Sequence, residues 1–247
     1  MSEISDTRRA AGGGYFVTTR WTLILSAGRK SSPDSDAALA ELCQTYWYPL
    51  YAYLRRQNRT REDAEDLTQA FFAAFLERNY LEGLSAERGK FRAFMLAALK
   101  HFVANEWDKA SRQKRGGGVP HLSLDWESAD QRYHMDVGHE ASPDRAFDRE
   151  WALALLERVV RRLEEEYGGG RAALFSELKG ALMMNQSKVD YAAASQSLGM
   201  EEGALRVAAH RLKKRYREVL REEIGQTLLE PGQVEEELRS LQEALGG

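Results

Sequence analysis

Residues 188–224 read KVDYAAASQSLGMEEGALRVAAHRLKKRYREVLREEI, and this stretch decides the fold of the C-terminal half of the chain. An alanine-rich segment at 191–197 predicts a short helix, and a second helix is predicted to begin at 201–203. Gly199 lies between them, where the turn needs a residue that adopts a left-handed backbone conformation. Two helices joined by such a turn predict a helix-turn-helix unit.

The second of these helices is strongly basic. Between Arg206 and Arg221 it carries seven Lys or Arg residues against the single acid Glu218. The free N–H groups at its N-terminus also favour a phosphate group. This combination predicts DNA binding. The alternative interpretation is an ordinary helical hairpin whose basic face only meets water.

The net charge of −3 hides a second basic segment. Residues 100–115 carry five Lys or Arg against two acids, and residues 125–144 place six Asp or Glu between the two basic segments. Two basic segments separated by an acidic connector favour two contacts with a polyanion. Solvated helix faces remain the alternative.

The composition limits the class of protein. Of 247 residues, 43% are hydrophobic, which is enough for a core, and only five are proline, which favours long helices. The single cysteine, Cys43, excludes an internal disulfide and a cysteine-based zinc site. No segment has the apolar length of a signal peptide or a membrane span, so we expect a cytoplasmic protein.

Helical periodicity predicts an all-α fold with two helical domains joined by an acidic linker. The expected parts are a flexible tail (1–17), an N-terminal helical domain (18–118), the acidic and partly ordered linker (119–143), a helix-turn-helix domain (144–224) and a C-terminal extension with a short amphipathic helix (225–247).

Local signals predict several helix ends. Thr60 is expected to cap one helix, and Pro143 is expected in the first turn of another. Pro49 lies inside an apolar pattern and is expected to kink its helix or to end its first part. A further helix is expected from Lys90 to about Gln113.

The C-terminal stretch resembles the DNA-binding domain of a bacterial protein family. The matching elements are Leu198-Gly199-Met200, Gly203, Ala204-Leu205, His210-Arg211, Lys213-Lys214-Arg215 and Val219-Leu220. In this order they are similar to the end of sigma factors of the extracytoplasmic-function (ECF) group.

A second motif, upstream, resembles the same family. Residues 63–69 read DAEDLTQ, similar to the segment with which sigma factors dock on RNA polymerase. Residues 89–115 read GKFRAFMLAALKHFVANEWDKASRQKR, similar to the helix that opens and reads the minus-ten promoter element. Phe94 stands where the family often has tryptophan, and Asn105 stands at its usual asparagine. Together the two motifs cover about 36–115 and 148–224.

The resemblance implies a transcription initiation factor without enzymatic activity, which binds core RNA polymerase and promoter DNA, with an anti-sigma or other regulatory protein as a further partner. The residues that would dock on the polymerase are Glu62, Asp63, Glu65, Asp66 and Gln69. The residues that would bind the minus-ten element are Arg88, Lys90, Lys100, His101, Asn105, Lys109, Arg112, Lys114 and Arg115. The residues that would bind the minus-thirty-five element are Gly203, Arg206, Val207, His210, Arg211, Lys213, Lys214 and Arg217.

The residues themselves refine these expectations. In the minus-ten helix we expect a specific polar contact from Asn105, whereas most aromatic rings repeat at helical spacing and are expected in the core. By resemblance, the loop 84–89 would shape a pocket for a flipped base. Ala208 and Ala209 leave the second basic helix poor in long polar side chains, so it would read DNA partly through groove shape or methyl contacts.

Two segments have open interpretations. The acidic linker is either a tether or, by resemblance, a segment that passes near the polymerase active centre. In the C-terminal extension, an apolar stripe predicts a helix that docks either on its own domain or on a regulator. The stripe consists of Val234, Leu238, Leu241 and Leu245.

Two other functions are weighed against the sigma-factor hypothesis. A conventional helix-turn-helix regulator would bind duplex DNA without polymerase, as a dimer on a palindrome. A helical enzyme is disfavoured because the chain has no P-loop, HExxH motif, nucleophile elbow or Cys–His pair. The histidines of the linker lack metal-ligand spacing, so neither a metal nor a cofactor is expected.

Overall fold

The computed structural model describes residues 33–76, 90–110, 124–135, 142–182 and 189–246. Over these ranges the chain is helical and has no β-strand, which confirms the predicted all-α class. The helices are α1 (Pro33–Arg56), α2 (Arg61–Leu76), α3 (Phe91–Ala110), α4 (Trp126–Met135), α5 (Pro143–Glu166), α6 (Ala172–Leu178), α7 (Tyr191–Leu198), α8 (Glu202–Gly225) and α9 (Val234–Gly246). The predicted tail, 1–17, lies outside the described residues.

Most of the predicted helix ends agree with the structure. The Asp63 backbone N–H donates to the Thr60 hydroxyl at 3.1 Å, so Thr60 caps α2 as predicted. Pro143 lies in the first turn of α5, which Ser142 caps. Pro49, in contrast, does not end α1, because the helix continues through it to Arg56. The next helix, α3, is described to Ala110, short of the predicted end at Gln113.

A first hydrophobic core joins α1 to α2, α3 and the first half of α5. Tyr46 of α1 lies at its centre, with its ring 5.0 Å from that of Phe91. The Trp151 indole N–H donates to the Tyr46 hydroxyl at 3.1 Å, so the largest buried side chain of α5 has its polar atom satisfied.

A second core lies under the helix-turn-helix unit. It combines Val159 and Leu163 of α5 with Phe175 of α6 and with Ala209 and Leu212 of α8. The helix α5 therefore contributes its first half to one core and its second half to the other. This helix connects the two clusters without a break. The predicted domain boundaries stay a prediction.

The described part of the acidic linker forms the helix α4, which packs on α1. The Trp126 ring lies 5.5 Å from Trp47 and 5.7 Å from Tyr51. At its other side, Asp130 accepts a hydrogen bond from Arg55 at 2.6 Å. Part of the predicted linker is thus anchored by both apolar and ionic contacts.

The C-terminal helix α9 docks on its own chain through the apolar stripe that the sequence predicts. Leu241 is buried in the first core, and Val234, Leu238 and Leu245 pack against it. Across the described ranges, no helix combines the length and apolarity needed to cross a membrane.

Candidate nucleic-acid interface

The predicted helix-turn-helix geometry is present at α7 and α8. Gly199 ends α7 with φ 63° and ψ 29°, the left-handed conformation that the sequence predicts. The Ser195 hydroxyl donates to the Met200 carbonyl at 2.6 Å and closes the turn. Ala194 and Leu205 are buried on the facing sides of the two helices, so their small and apolar side chains fix the crossing.

The predicted minus-thirty-five residues share one property, which is that every one of them is exposed to solvent. They are Gly203, Arg206, Val207, His210, Arg211, Lys213, Lys214 and Arg217. Val207 is 51% exposed, unusual for a large hydrophobic side chain. Ala209 and Leu212 are buried behind this face, so α8 presents cations on one side and core residues on the other.

Most cations of this face have no acidic partner from another helix. Arg206 pairs with Glu202 of α8 at 3.3 Å, and its guanidinium lies 4.5 Å from the Tyr191 ring centre. No ion pair within the described ranges engages Arg211, Lys213 or Arg217. These three side chains are therefore available to an external anion.

Arg215 of the same helix has a different task. Its guanidinium donates to both carboxylate oxygens of Glu166 on α5, at 2.7 and 2.8 Å. This pairing raises the pKa of Arg215 and lowers that of Glu166. Arg215 fastens α8 to α5, which explains why it lies off the exposed face.

The predicted minus-ten helix presents its cations differently. Lys90 lies 2.7 Å from Glu236 and 3.1 Å from Glu237, both on α9. Burial opposes the charge of Lys90, but the hydrogen bonds to these carboxylates outweigh it and raise the pKa of the amine. Lys100 pairs in the same way with Asp144 at the start of α5, which raises its pKa.

Two of the predicted minus-ten residues, His101 and Asn105, lie together at the surface of α3. His101 and Asn105 are both exposed, and the Asn105 amide nitrogen lies 3.1 Å from the His101 Nδ1. Of the other predicted minus-ten residues, Lys109 lies in α3 but its side chain is not described. Outside the described residues lie Arg88, Arg112, Lys114, Arg115 and the loop 84–89.

Three aromatic residues of α3 belong to the core, as expected for most of its rings, and the side chain of Trp107 is not described. Phe91, Phe94 and Phe102 are each at most 5% exposed, so none of these rings can stack on a base. They pack instead on Tyr46, Phe75 and Phe71, respectively.

The predicted polymerase-docking residues lie on the first three turns of α2. Glu62, Asp63 and Asp66 are exposed, whereas Glu65 and Gln69 are half-buried. Arg61 donates to Glu65 at 2.7 Å, so this carboxylate is engaged within its own helix. The exposed acids lie near the positive end of the helix dipole, which favours their charge.

The sequence analysis did not predict which acidic residues pair with Lys90 and Lys100. Glu236 lies 146 positions after Lys90, and Asp144 lies 44 positions after Lys100. Glu235, Glu236 and Glu237 form a run in the first turn of α9, and this run is the only sequence signal. A run of acids does not specify its partner, because that choice depends on the tertiary fold.

Within the described ranges, no group of three or more His, Cys, Asp or Glu side chains could hold a metal ion. No protein-family model, curated protein or solved structure matches the chain. The case for its function therefore depends on its own surfaces.

Proposed function

We propose that this chain is a transcription initiation factor of the ECF sigma group, which binds core RNA polymerase and directs it to promoters. The observation that carries the proposal is the exposed cationic face of α8, placed directly after the left-handed turn at Gly199. The proposed order of contacts along the chain is polymerase, minus-ten DNA and minus-thirty-five DNA.

The exposed face of α8 suits duplex DNA. The major groove admits one α-helix, and the free cations Arg211, Lys213 and Arg217 would meet phosphates on its sides. Val207 would contact a thymine methyl group, since apolar contact is how proteins recognise that group. Arg206, preordered by Glu202 and Tyr191, is the long polar side chain nearest the start of the helix.

The exposed side of α3 would bind the minus-ten element. Asn105 and His101 offer amide and imidazole groups that can hydrogen-bond a base edge, and Lys100 offers charge for the backbone. Because the phenylalanines are buried, base stacking would have to come from residues other than Phe91, Phe94 and Phe102.

The exposed acids of α2 would form the contact with core polymerase. Glu62, Asp63 and Asp66 present carboxylates that can bind Arg or Lys side chains of a partner. The chain offers a matched acidic pair elsewhere, Glu164 and Glu165 on α5, which are also exposed and lie outside the proposed contact.

The test measures association of the full chain with purified core RNA polymerase by pull-down, and run-off transcription on a pre-melted promoter template. We expect stable association and core-dependent initiation for the wild type. Both should be lost in the Asp63→Arg, Asp66→Arg variant and kept in the Glu164→Arg, Glu165→Arg control, which reverses the same number of charges.

Two results would overturn the proposal. Equal loss in both variants would show a general charge effect rather than a docking surface. Absence of core binding together with tight binding of the chain alone to duplex DNA would identify a conventional helix-turn-helix regulator.

A further inference from the structure

The segment that follows α8 returns to the start of α3. The Phe91 backbone N–H donates to the Thr227 carbonyl at 3.0 Å, and Lys90 forms an isolated antiparallel bridge with Leu228. Leu228 and Leu241 are buried in the same core as Phe91. Residues 225–246 thus join the C-terminal end of α8 to the N-terminal end of α3.

Carboxylates of α9 form ion pairs with the cations at this junction. Glu237 is 1% exposed and binds both Lys90, at 3.1 Å, and Arg92. Glu236 is 60% exposed and binds Lys90 alone, at 2.7 Å. A carboxylate oxygen and a phosphate oxygen make the same charge-assisted hydrogen bond to an amine, so α9 takes the place that a DNA phosphate would need on Lys90.

The junction also limits the distance between α3 and α8. The minus-ten and minus-thirty-five elements lie about 25 base pairs apart, or roughly 85 Å of B-form DNA at about 3.4 Å per base pair. A compact chain of 247 residues has a diameter of only about 45 Å. While α9 fastens both helices, they cannot occupy both elements at once.

We propose that residues 225–246 are an intramolecular clamp, which holds the chain closed by occupying Lys90 and which must leave α3 before the chain engages a promoter. This inference rests on the proposed function, because it assigns Lys90 and α3 to DNA. On opening, α9 stays attached to α8 through the Arg221–Glu235 pair at 3.0 Å.

Three variants separate the clamp from a simple charge effect. Glu236→Lys removes one bond to Lys90 and repels it, at an exposed position where folding is not at risk. Glu235→Lys is the matched control, since it makes the same charge change one residue away but contacts only α8. Glu236→Gln removes the charge of this carboxylate without placing a cation beside Lys90.

Opening is measured without DNA by electron–electron resonance between spin labels at Ala93→Cys on α3 and Gln242→Cys on α9, both exposed positions. The native Cys43 is buried, which raises its pKa to about 12 and leaves it unreactive toward the labelling reagent. We expect one distance in the wild type and in Glu235→Lys, a second and longer distance in Glu236→Lys, and a smaller fraction of that longer distance in Glu236→Gln.

The DNA measurement uses a mixed-sequence single strand of about 20 nucleotides, long enough for one binding groove. Glu236→Lys should bind at least threefold more tightly than Glu235→Lys, although both gain the same charge. Equal affinities, or an unchanged distance in Glu236→Lys, would overturn the clamp.

The same labels distinguish failure of the clamp from failure of the proposed function. If α9 still lies on α3 in a complex with core polymerase and promoter DNA, the clamp is wrong and the sigma-factor proposal stands. If Glu236→Lys opens the chain but no variant binds core polymerase, the clamp stands and the sigma-factor proposal is wrong.

Discussion

The basic faces of α3 and α8 have similar charge in the sequence but different availability in the structure. On α8, Arg211, Lys213 and Arg217 have no ion-pair partner within the described residues. On α3, Lys90 and Lys100 each bind carboxylates of another helix. A run of Lys and Arg therefore shows where charge lies along the chain, whereas tertiary packing decides which of these charges remain open to an external anion.

The largest expected effect concerns stability and compares a buried ion pair of α3, Arg92–Glu237, with a half-buried ion pair of α8, Arg215–Glu166. Arg92→Met leaves the Glu237 carboxylate buried, and among the described residues Lys90, at 3.1 Å, is then its remaining ion-pair partner. Loss of one partner from a buried pair costs about 3 kcal/mol or more of unfolding free energy. Urea unfolding monitored by circular dichroism measures this cost.

The α8 counterpart, Arg215→Met, is the control for that comparison. Its partner Glu166 is 31% exposed, so water can solvate the carboxylate once the guanidinium is gone. We expect a loss of only about 1 kcal/mol. Equal losses in Arg92→Met and Arg215→Met would show that burial of the carboxylate does not decide the cost of losing its partner.

The next effect concerns DNA affinity. Neutralising Lys213 and Lys214 together should weaken binding of every duplex sequence by roughly 50-fold at 0.1 M salt, because each lost phosphate contact removes about 0.9 units of log–log salt slope. Fluorescence anisotropy over a salt series on two unrelated duplexes measures both quantities.

The matched change on α3 is Lys90→Ala, whose amine already has carboxylate partners. It should leave the salt slope of duplex binding unchanged, since a paired amine releases no counterion from DNA. If Lys213 and Lys214 affect one duplex only, they read bases rather than phosphates, and their assignment is wrong.

The smallest expected effect is a loss of stability in acid. Pairing with Arg215 lowers the pKa of Glu166, and pairing with Lys90 lowers that of Glu236. A carboxyl group whose pKa is lower in the folded state stabilises the fold above its unfolded value, near 4.5, and loses this contribution as pH falls through the folded value. As far as these two groups determine it, we expect the free energy of unfolding to be constant between pH 6 and 8. It should decrease below about pH 4.5.

The variants Glu166→Gln and Glu236→Gln show how this acid dependence is divided between the two helices. Each should have a flatter decrease in urea midpoint from pH 5 to pH 3 than the wild type, because it lacks one of the titrating groups. A decrease identical to that of the wild type in both variants would place the acid sensitivity elsewhere in the chain.

Local signals predicted the parts of the fold that depend on neighbouring residues. Gly199 adopts the left-handed conformation, and Thr60 and Pro143 lie at the helix starts that the sequence indicates. These features follow from backbone sterics and capping, which act over a few residues. Pro49 shows the limit, because the buried environment of α1 keeps the helix continuous where the proline alone favours a break.

The site was predictable in its residues but not in their pairing. The helical period of α8 predicts which side is exposed, because Leu205, Ala209 and Leu212 repeat on the buried side. Arg206, Arg211, Lys213 and Arg217 lie on the other side. The bond from Lys90 to Glu236 joins residues 146 positions apart, and no periodicity encodes such a contact. For the same reason, the sequence does not show that α5 contributes to two cores.

The bond between Phe91 and Thr227 has a consequence for the order of folding during synthesis. A ribosome makes the chain from its N-terminus, so α3 emerges more than a hundred residues before the carbonyl that it binds. Contacts of such large sequence separation form late, because closing the intervening loop costs entropy. The nascent chain therefore passes through a stage in which α3 is complete and Lys90 is uncovered, and the later synthesis of α9 closes that stage.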